Sequence, residues 1–221
     1  MSISDNIIIL REDIPHSVRI IAVSKTHSPE EIIEVYHTGH RLFGENRAQE
    51  LIDKQPLLPE DIQWHFIGHL QTNKVKYIAP YVAMIHSIDS LKLLKEINKQ
   101  ALKNNRVIDC LLQFHIAQEE SKYGLDMDEA KQILESQDYL QMKHIRVCGV
   151  MGMATFTDDM DWVRKEFQNL KKMFDFLKVN YFAGDEGFCE ISMGMTSDYH
   201  VAIEEGSTMV RIGTAIFGER N

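Results

Sequence analysis

The stretch Ile20-Ile21-Ala22-Val23-Ser24-Lys25 is a continuous apolar run that ends in a lysine, and the segment Ser28-Pro29-Glu30-Glu31 follows at once. An apolar run without alternation is typical of a strand that is buried on both faces of a parallel sheet. Ser28 is a suitable N-cap, Pro29 suits the first helical position, and Glu31 completes a capping box. The stretch therefore predicts a strand followed by a helix, the unit from which α/β folds are built.

The same strand–helix pattern recurs along the chain. Eight strands are predicted, at Ile20–Ser24, Arg41–Gly44, Trp64–Gly68, Ala83–Ser87, Ile108–His115, Arg146–Met151, Cys189–Met193 and Met209–Phe217. The clearest helix prediction between them is Asp158–Lys178, where apolar residues recur at spacings of four and three. Eight such units favour an α/β fold, a single (β/α)8 TIM-type barrel formed by residues 1–221, over the alternative of a doubly wound sheet.

Two further elements of the barrel are predicted from local patterns. Thr196 or Ser197 is expected to cap a helix after strand seven, and that helix should close at Gly206. The sequence stops shortly after the predicted eighth strand, so we expect no eighth helix after it. We expect the N-terminal segment Ser4–Asp13 to cover that gap.

Composition limits the classes of function. The formal net charge of −9 argues against a nucleic-acid partner, because phosphate backbones favour basic surfaces. No apolar run approaches about 18 residues and no signal peptide is recognisable, so no membrane segment is expected. The three cysteines are far apart and form no C-x-x-C pair, which suits free buried thiols in a reducing compartment. We therefore expect a cytoplasmic protein.

The predicted strand ends carry the candidate chemistry, since barrel enzymes place their sites there. Lys25 ends the first strand, and desolvation of its ammonium would leave an amine able to form a Schiff base; the alternative is a lysine that extends into solvent. Few carboxylates share these strand ends, so no metal site is expected. His65 and His69 have H-x-x-x-H spacing, but residues four apart on a strand lie about 13 Å apart, too far to share a metal ion.

The last third of the chain has features of an anion site. Ser192-Met193-Gly194-Met195-Thr196-Ser197 runs from a strand end towards a predicted helix, and Arg211-Ile212-Gly213-Thr214 supplies a second loop with a glycine and a hydroxyl. Barrel phosphate sites commonly follow strands seven and eight, although a plain glycine turn with a helix cap gives the same pattern. A phosphate site opposite a nucleophilic lysine suggests pyridoxal 5′-phosphate (PLP) as cofactor.

Longer motifs strengthen this hypothesis. They are Ala22–Thr26, Phe43–Asn46, Trp64–Lys74, Ile85–Asp89, Glu119–Gly124, Ser192–Asp198 and Glu205–Gly218. In order and length they resemble the YggS/PROSC family of PLP homeostasis proteins, over residues from about Ile20 to Arg220. The resemblance implies a fold-type III PLP-binding barrel like the N-terminal domain of alanine racemase. The sequence departs from the family before Ile20, where members usually carry a longer helix.

The resemblance also implies roles for individual residues. Lys25 would carry PLP as an internal aldimine, and Asn46 would lie near the cofactor ring. Arg211 would face the pyridine nitrogen or the polar network beside it. The residues implied to contact the phosphate are Ser192, Met193, Gly194, Gly213 and Thr214. The segment Glu119-Glu120-Ser121-Lys122 is expected to be a loop near the mouth with a salt-bridged lysine.

Three functions remain open from the sequence. The favoured one is a monomeric PLP-binding protein of intracellular vitamin B6 homeostasis, which supplies apo PLP-dependent enzymes and is expected to have no turnover of its own. The runner-up is an amino-acid racemase, which needs a second acid–base group opposite the lysine; Tyr123 is the only tyrosine near the predicted mouth. The third is a barrel that binds another phosphorylated metabolite, with Lys25 as an aldolase-type amine.

Overall fold

The computed structural model describes residues 2–117 and 123–219, and its centre is a closed barrel of eight parallel strands in the order β1 to β8. The strands are β1 (Arg19–Val23), β2 (Leu42–Glu45), β3 (Gln63–Phe66), β4 (Val82–Ile88), β5 (Ile108–Phe114), β6 (Ile145–Gly152), β7 (Glu190–Met195) and β8 (Met209–Ile212). β1 pairs with β8, for example Ile21 beside Arg211. This pairing closes the barrel and excludes the doubly wound alternative.

Helices alternate with the strands and cover the barrel. Within the described residues they are α1 (Ile3–Asp13), α2 (Pro29–His37), α3 (Ala48–Lys54), α4 (Thr72–Ile78), α5 (Leu91–Lys103), α6 (Met127–Glu135), α7 (Gln137–Leu140), α8 (Met160–Asn180), α9 (Tyr199–Glu204) and α10 (Thr214–Phe217), with a 3₁₀ turn at Gln55–Leu57. The (β/α)8 prediction is confirmed. The capping box predicted at Ser28 and Glu31 is also present, with both of its hydrogen bonds.

The eighth strand is shorter than predicted. The sequence pattern predicted a strand over Met209–Phe217, but β8 ends at Ile212 and the remaining residues form helix α10. A short apolar run fits a buried strand and a buried helix equally well, so periodicity does not separate them. Ile216 and Phe217 are buried, and the Phe217 ring stacks on His27 at 4.6 Å.

A short helix, α10, follows β8, so the expectation that no helix follows this strand is wrong; helix α1 packs beside α10, in the region expected for the N-terminal segment. It begins with a capping box between Ser2 and Asp5 and packs against α2 and α10. The Asn6 side-chain amide donates to the Ile216 carbonyl at 2.9 Å, and Arg11 donates to the Thr38 carbonyl at 2.8 Å. These bonds join the start of the chain to both neighbouring helices.

Apolar side chains fill much of the barrel interior. This interior cluster consists of Ile21, Met84, Leu111, Cys148, Met151 and Met209. Because side chains alternate along a strand, residues two positions further on face the same interior and lie nearer the C-terminal ends. The interior cluster therefore leaves the C-terminal end as the place for a site.

Two expectations about the surface are addressed by the structure. Cys110 and Cys148 are buried free thiols, but Cys189 is exposed, so the expectation of three buried thiols is wrong at that position. Cys189 directly precedes β7, where the chain enters the barrel from the surface. None of the helices within the described residues has the length and hydropathy needed to cross a membrane.

Candidate active site

A cavity of about 440 Å³ opens at the C-terminal ends of the strands. Its walls come from the ends of β1, β2, β3, β6, β7 and β8, where barrel enzymes hold their substrates. The lining residues are Val23, Lys25, Asn46, Ile67, Met153, Phe156, Met195, Thr196, Ser197, Arg211, Gly213 and Thr214. The volume falls within the usual range of small-molecule sites, roughly 300–1,000 Å³. Of the eight residues predicted for the site, Lys25, Asn46, Arg211, Gly213 and Thr214 line the cavity.

Lys25 reaches the cavity from a tightly held turn after β1. It is half-buried, and the next residue, Thr26, adopts a left-handed conformation with φ 70°. That conformation is strained for a β-branched residue and persists where neighbours enforce it. The Thr26 amide donates to the Glu50 carboxylate, which fixes the turn. The position of Lys25 therefore depends on a carboxylate from helix α3.

A buried cluster of charges lies beside this turn. The Lys54 ammonium donates to Glu45 Oε1 at 2.8 Å, to Glu50 Oε1 at 2.6 Å and to the Ser24 carbonyl at 2.7 Å. Ser24 Oγ donates to the same Glu45 oxygen at 2.7 Å. Burial raises the pKa of the Glu45 carboxyl, and the neighbouring Lys54 opposes that rise. The cluster ties the ends of β1 and β2 to α3 just before Lys25.

Asn46 lies on the cavity wall, and its backbone is unusually close to that of Gly68. A Cβ on Gly68 would lie 2.2 Å from the Asn46 carbonyl oxygen, so only glycine fits where the chain leaves β3. The Asn46 Oδ1 atom is buried and has no hydrogen-bond partner within residues 2–117 and 123–219. A buried acceptor without a donor costs about 1–3 kcal/mol, so this atom is suited to a ligand that brings a hydrogen-bond donor.

The β7 side of the cavity differs from the sequence prediction. Ser192, Met193 and Gly194 are buried below the cavity lining, and the next residues Met195, Thr196 and Ser197 line it instead. A Cβ on Gly194, where φ is 94°, would lie 2.6 Å from Ala202 Cβ, so this glycine lets α9 pack closely on β7.

Helix α9 also begins later than expected. The predicted cap at Thr196 or Ser197 is wrong, because the helix starts at Tyr199 and Asp198 occupies the N-cap position. The Asp198 carboxylate accepts a hydrogen bond from the Met195 amide at 2.5 Å and so closes the turn itself. Thr196 and Ser197 are thereby left facing the cavity, and with Thr214 they give it three hydroxyl groups.

Arg211 forms the cationic floor of the cavity. Its guanidinium is buried and donates to Ser192 Oγ at 2.7 Å and to the Gly152 carbonyl at 3.0 Å. Burial lowers the pKa of Arg211 to about 10, which still leaves the group charged at neutral pH. Arg211 therefore lies in a network of buried hydrogen bonds beneath the cavity.

The rim of the cavity is apolar and partly aromatic. Met153 and Phe156, after β6, are exposed at the mouth. Tyr123 is exposed and packs on the His69 ring at 4.3 Å, and His69 Nδ1 lies 3.2 Å from Asp89 Oδ2. The predicted loop Glu119-Glu120-Ser121-Lys122 lies outside the described residues.

Strand-end prediction did not identify several lining residues. Those it missed are Val23, an ordinary apolar residue of β1, Ile67, which directly follows β3, and Phe156, which lies beyond the end of β6. The alternation of side chains along β1 and β3 is the feature that places Val23 and Ile67 on the interior face.

The chemistry available to the cavity is limited. Its lining contains one amine, one guanidinium, one amide and three hydroxyls, and within the part of the chain that the structure describes it contains no carboxylate, imidazole, phenol or thiol. A site of this kind offers a nucleophile and several hydrogen-bond donors for an anion. It offers one group, Lys25, for proton transfer. The described residues also contain no cluster of metal-ligating side chains.

Comparison with known proteins identifies relatives of the whole barrel. The family model for the alanine racemase N-terminal domain matches residues 1–221. The pyridoxal phosphate homeostasis protein of Aquifex aeolicus is 42% identical over 203 residues, which cover 91% of this chain and 87% of the relative. The structure of PipY from Synechococcus elongatus PCC7942, with PLP bound, matches with a TM-score of 0.88 at 32% identity, over 98% of this chain and all of PipY (100%).

A more distant match concerns the architecture alone. Alanine racemase from Bartonella henselae matches with a TM-score of 0.71 at 14% identity, over 98% of this chain and 58% of the racemase. At that identity the likeness shows that the two proteins share the barrel fold. The racemase has a further part that this chain does not match.

Proposed function

The chain belongs to the alanine racemase N-terminal domain family and, within it, to the pyridoxal phosphate homeostasis proteins, and from this premise we propose that it holds PLP as a Schiff base on Lys25. The observation that carries the proposal is the cavity itself. It brings together Lys25 after β1, a buried arginine at the floor and three hydroxyls from the segments after β7 and β8. These are the groups that an aromatic aldehyde with a phosphate requires.

The reaction at Lys25 is a condensation. The unprotonated Nζ of Lys25 would attack the aldehyde carbon, C=N would replace the C=O bond, and one water molecule would leave. PLP supplies the aldehyde and the electron-withdrawing ring. The chain supplies the amine and its fixed position, which the strained turn at Thr26 and the charge cluster around Lys54 maintain.

The remaining residues would orient the cofactor. Thr214, Thr196 and Ser197 offer hydroxyl donors to the phosphate, and Gly213 leaves room for it. The Ser192 side chain is already bonded to Arg211 and is buried with Met193 and Gly194, so any phosphate contact from this segment would come from the main chain. Asn46 offers an unpartnered oxygen, and Arg211 a positive charge.

We propose a role in holding and supplying PLP rather than in turnover. Racemisation needs acid and base groups on opposite faces of the substrate carbon, and the described lining provides Lys25 alone. Tyr123, the sequence candidate for the second base, is packed on His69 in an adjoining cavity. The recipients would be apo PLP-dependent enzymes, and the protein would act as a cytoplasmic monomer, in keeping with its free thiols.

The test is a titration of the purified chain with PLP, followed by borohydride and peptide mapping. Borohydride adds hydride to the imine carbon and a proton adds to nitrogen, so the link becomes a stable secondary amine. We expect a visible absorbance band in the parent and a modified peptide that contains Lys25. Lys74→Ala, a lysine at a neighbouring cavity, is the matched control for Lys25→Ala.

Three outcomes would contradict the proposal. Modification of the parent at another lysine would refute the assignment to Lys25. The lack of any band would refute PLP binding and favour the third reading, another phosphorylated metabolite with an aldolase-type amine. Formation of D-alanine from L-alanine by the PLP-loaded chain, measured by chiral chromatography, would favour the racemase.

A further inference from the structure

A line of hydrogen-bonded polar side chains crosses the barrel interior below the cavity. It runs from His65 on β3 to His86 on β4, then across the barrel to Ser192 on β7 and Arg211 on β8. His65 Nδ1 lies 2.8 Å from His86 Nε2, His86 Nδ1 lies 3.0 Å from Ser192 Oγ, and Arg211 Nη1 donates to Ser192 Oγ at 2.7 Å. We call these four residues the polar line.

The polar line occupies the layer between the interior cluster and the cavity. Met84 and Met209 of the interior cluster precede His86 and Arg211 by two residues, so they share the inward face one step lower. Ile67 and Gly213 follow His65 and Arg211 by two residues, and both line the cavity. The polar line is therefore the layer directly beneath the proposed cofactor.

The positions of the protons along the polar line can be assigned by starting at Arg211. Arg211 can only donate, so the Ser192 oxygen accepts from it. Within the described residues the Ser192 hydroxyl hydrogen has one acceptor in reach, His86 Nδ1. His86 must then carry its proton on Nε2 and donate to His65 Nδ1, which places the His65 proton on its own Nε2.

Both imidazoles are neutral under ordinary conditions. Burial lowers the pKa of His65 to about 3 and holds the pKa of His86 well below its usual value. The assignment requires neutral rings. A protonated His86 would carry a proton on both ring nitrogens and could not accept a hydrogen bond from Ser192. All four side chains are buried, so water molecules cannot replace these hydrogen-bond partners.

We infer that His65 and His86 are positioning residues that act through Ser192 to hold the Arg211 guanidinium in one orientation toward the cofactor ring. This inference rests on the proposed PLP function. Ser192 fixes one nitrogen of the guanidinium and the Gly152 carbonyl fixes another. The line orients Ser192 in turn, since its hydroxyl hydrogen is committed to His86. Without His86 that hydroxyl rotates, and Arg211 loses one of its two anchors.

A purely structural role predicts a different result. An apolar residue in place of His86 would leave Ser192 and His65 without a hydrogen-bond partner, so a purely structural role predicts a loss of stability, with the PLP affinity and spectrum of the folded protein unchanged. The positioning role predicts that the PLP-binding properties change even where the fold is as stable as before. The two roles therefore predict different effects on the affinity for PLP and on the absorbance spectrum of bound PLP.

The first experiment uses the chain without ligand. Nitrogen-15 NMR of the histidine rings at pH 7 should show His65 and His86 neutral, each with its proton on Nε2. A proton on Nδ1 of either ring, or a charged ring, would overturn the assignment of the polar line. This measurement does not depend on whether PLP binds.

The second experiment compares three variants in PLP titrations followed by absorbance. His86→Leu removes both bonds of the ring and should weaken PLP binding about tenfold and move the absorbance maximum, as expected for a lost bond to a charged group. His86→Gln keeps one donor and one acceptor and should restore most of both properties. Met84→Ala, on the same strand but outside the polar line, should lower stability and leave affinity and spectrum as in the parent.

The outcomes separate the two proposals. A parent chain that does not bind PLP would refute the proposed function and, with it, the positioning role proposed for the polar line. A parent that binds PLP, with a folded His86→Leu variant of equal affinity and spectrum, would refute the positioning role alone. An equal effect of Met84→Ala would show general disturbance of the core and would also refute it.

Discussion

Replacement of Lys54 with methionine tests the charge cluster that holds the turn at Lys25. Methionine keeps the length of the side chain and removes the ammonium, which leaves the fully buried Glu45 carboxylate beside a side chain without charge. Removal of one partner from a buried pair costs about 3–5 kcal/mol, because the other charge stays uncompensated. For a chain of this size each kcal/mol lowers Tm by about 2–4 °C, so we expect a loss of roughly 6–20 °C.

The pH dependence of this loss follows from Glu45. Burial already raises the pKa of this carboxyl above its ordinary 4.5, and without Lys54 the folded-state pKa rises further. A carboxyl that binds its proton more tightly in the folded chain contributes stability fully below the unfolded pKa and loses it as pH rises through the folded pKa. The deficit of Lys54→Met relative to the parent should therefore be small near pH 4.5 and largest at pH 8.

The assay is urea unfolding followed by tryptophan fluorescence at pH 5 and pH 8. Lys171→Met is the matched control, since Lys171 forms an exposed (i, i+4) pair with Asp175 at 2.6 Å and should cost less than about 1 kcal/mol. The double variant Lys54→Met with Glu45→Gln should recover most of the loss, because no buried charge remains. A loss at pH 8 below about 1 kcal/mol, or one of equal size at both pH values, would refute the reasoning.

Two further predictions concern other parts of the barrel. Gly194→Ala should lower the free energy of unfolding by about 2–4 kcal/mol, since φ is 94° and the new Cβ would lie 2.6 Å from Ala202; Gly184→Ala, with φ 79° and open space around it, should cost only about 1 kcal/mol in the same urea assay. A disulfide reagent should modify the exposed Cys189 in the folded chain and the buried Cys110 and Cys148 only after unfolding, because burial raises the pKa of Cys148 to about 12 and that of Cys110 well above its usual value. A Cys189→Ser variant that still reacts while folded would contradict the second prediction.

Much of the fold was predictable because its strands are buried on both faces. Continuous apolar runs located β1 and β5 to within about a residue, and the capping box located the start of α2. The failure at β8 has a physical cause. β8 stops pairing with β1 at Ile212, and this pairing joins residues far apart in the sequence. The local apolar pattern, by contrast, continues unchanged from β8 into α10.

The candidate site was predictable where it depends on strand ends. Lys25 and Asn46 could be placed because each follows a recognisable strand. The polar line could not be predicted in the same way. His86 and Ser192 are 106 residues apart and meet only because the barrel closes, so no local pattern signals their contact. The cap at Asp198 was missed because three neighbouring polar residues had equal claims to that position.

The contact between α1 and α10 has a consequence for synthesis on the ribosome. Asn6 bonds to Ile216, 210 residues later, and β1 finds its second neighbour only in β8. Until β8 leaves the exit tunnel, the nascent sheet keeps two open edges, at β1 and at the last strand made, and open edges invite association with other chains. The edges of the early strands must therefore stay covered by their helices or by chaperones until β8 has been made, and only then does the barrel close.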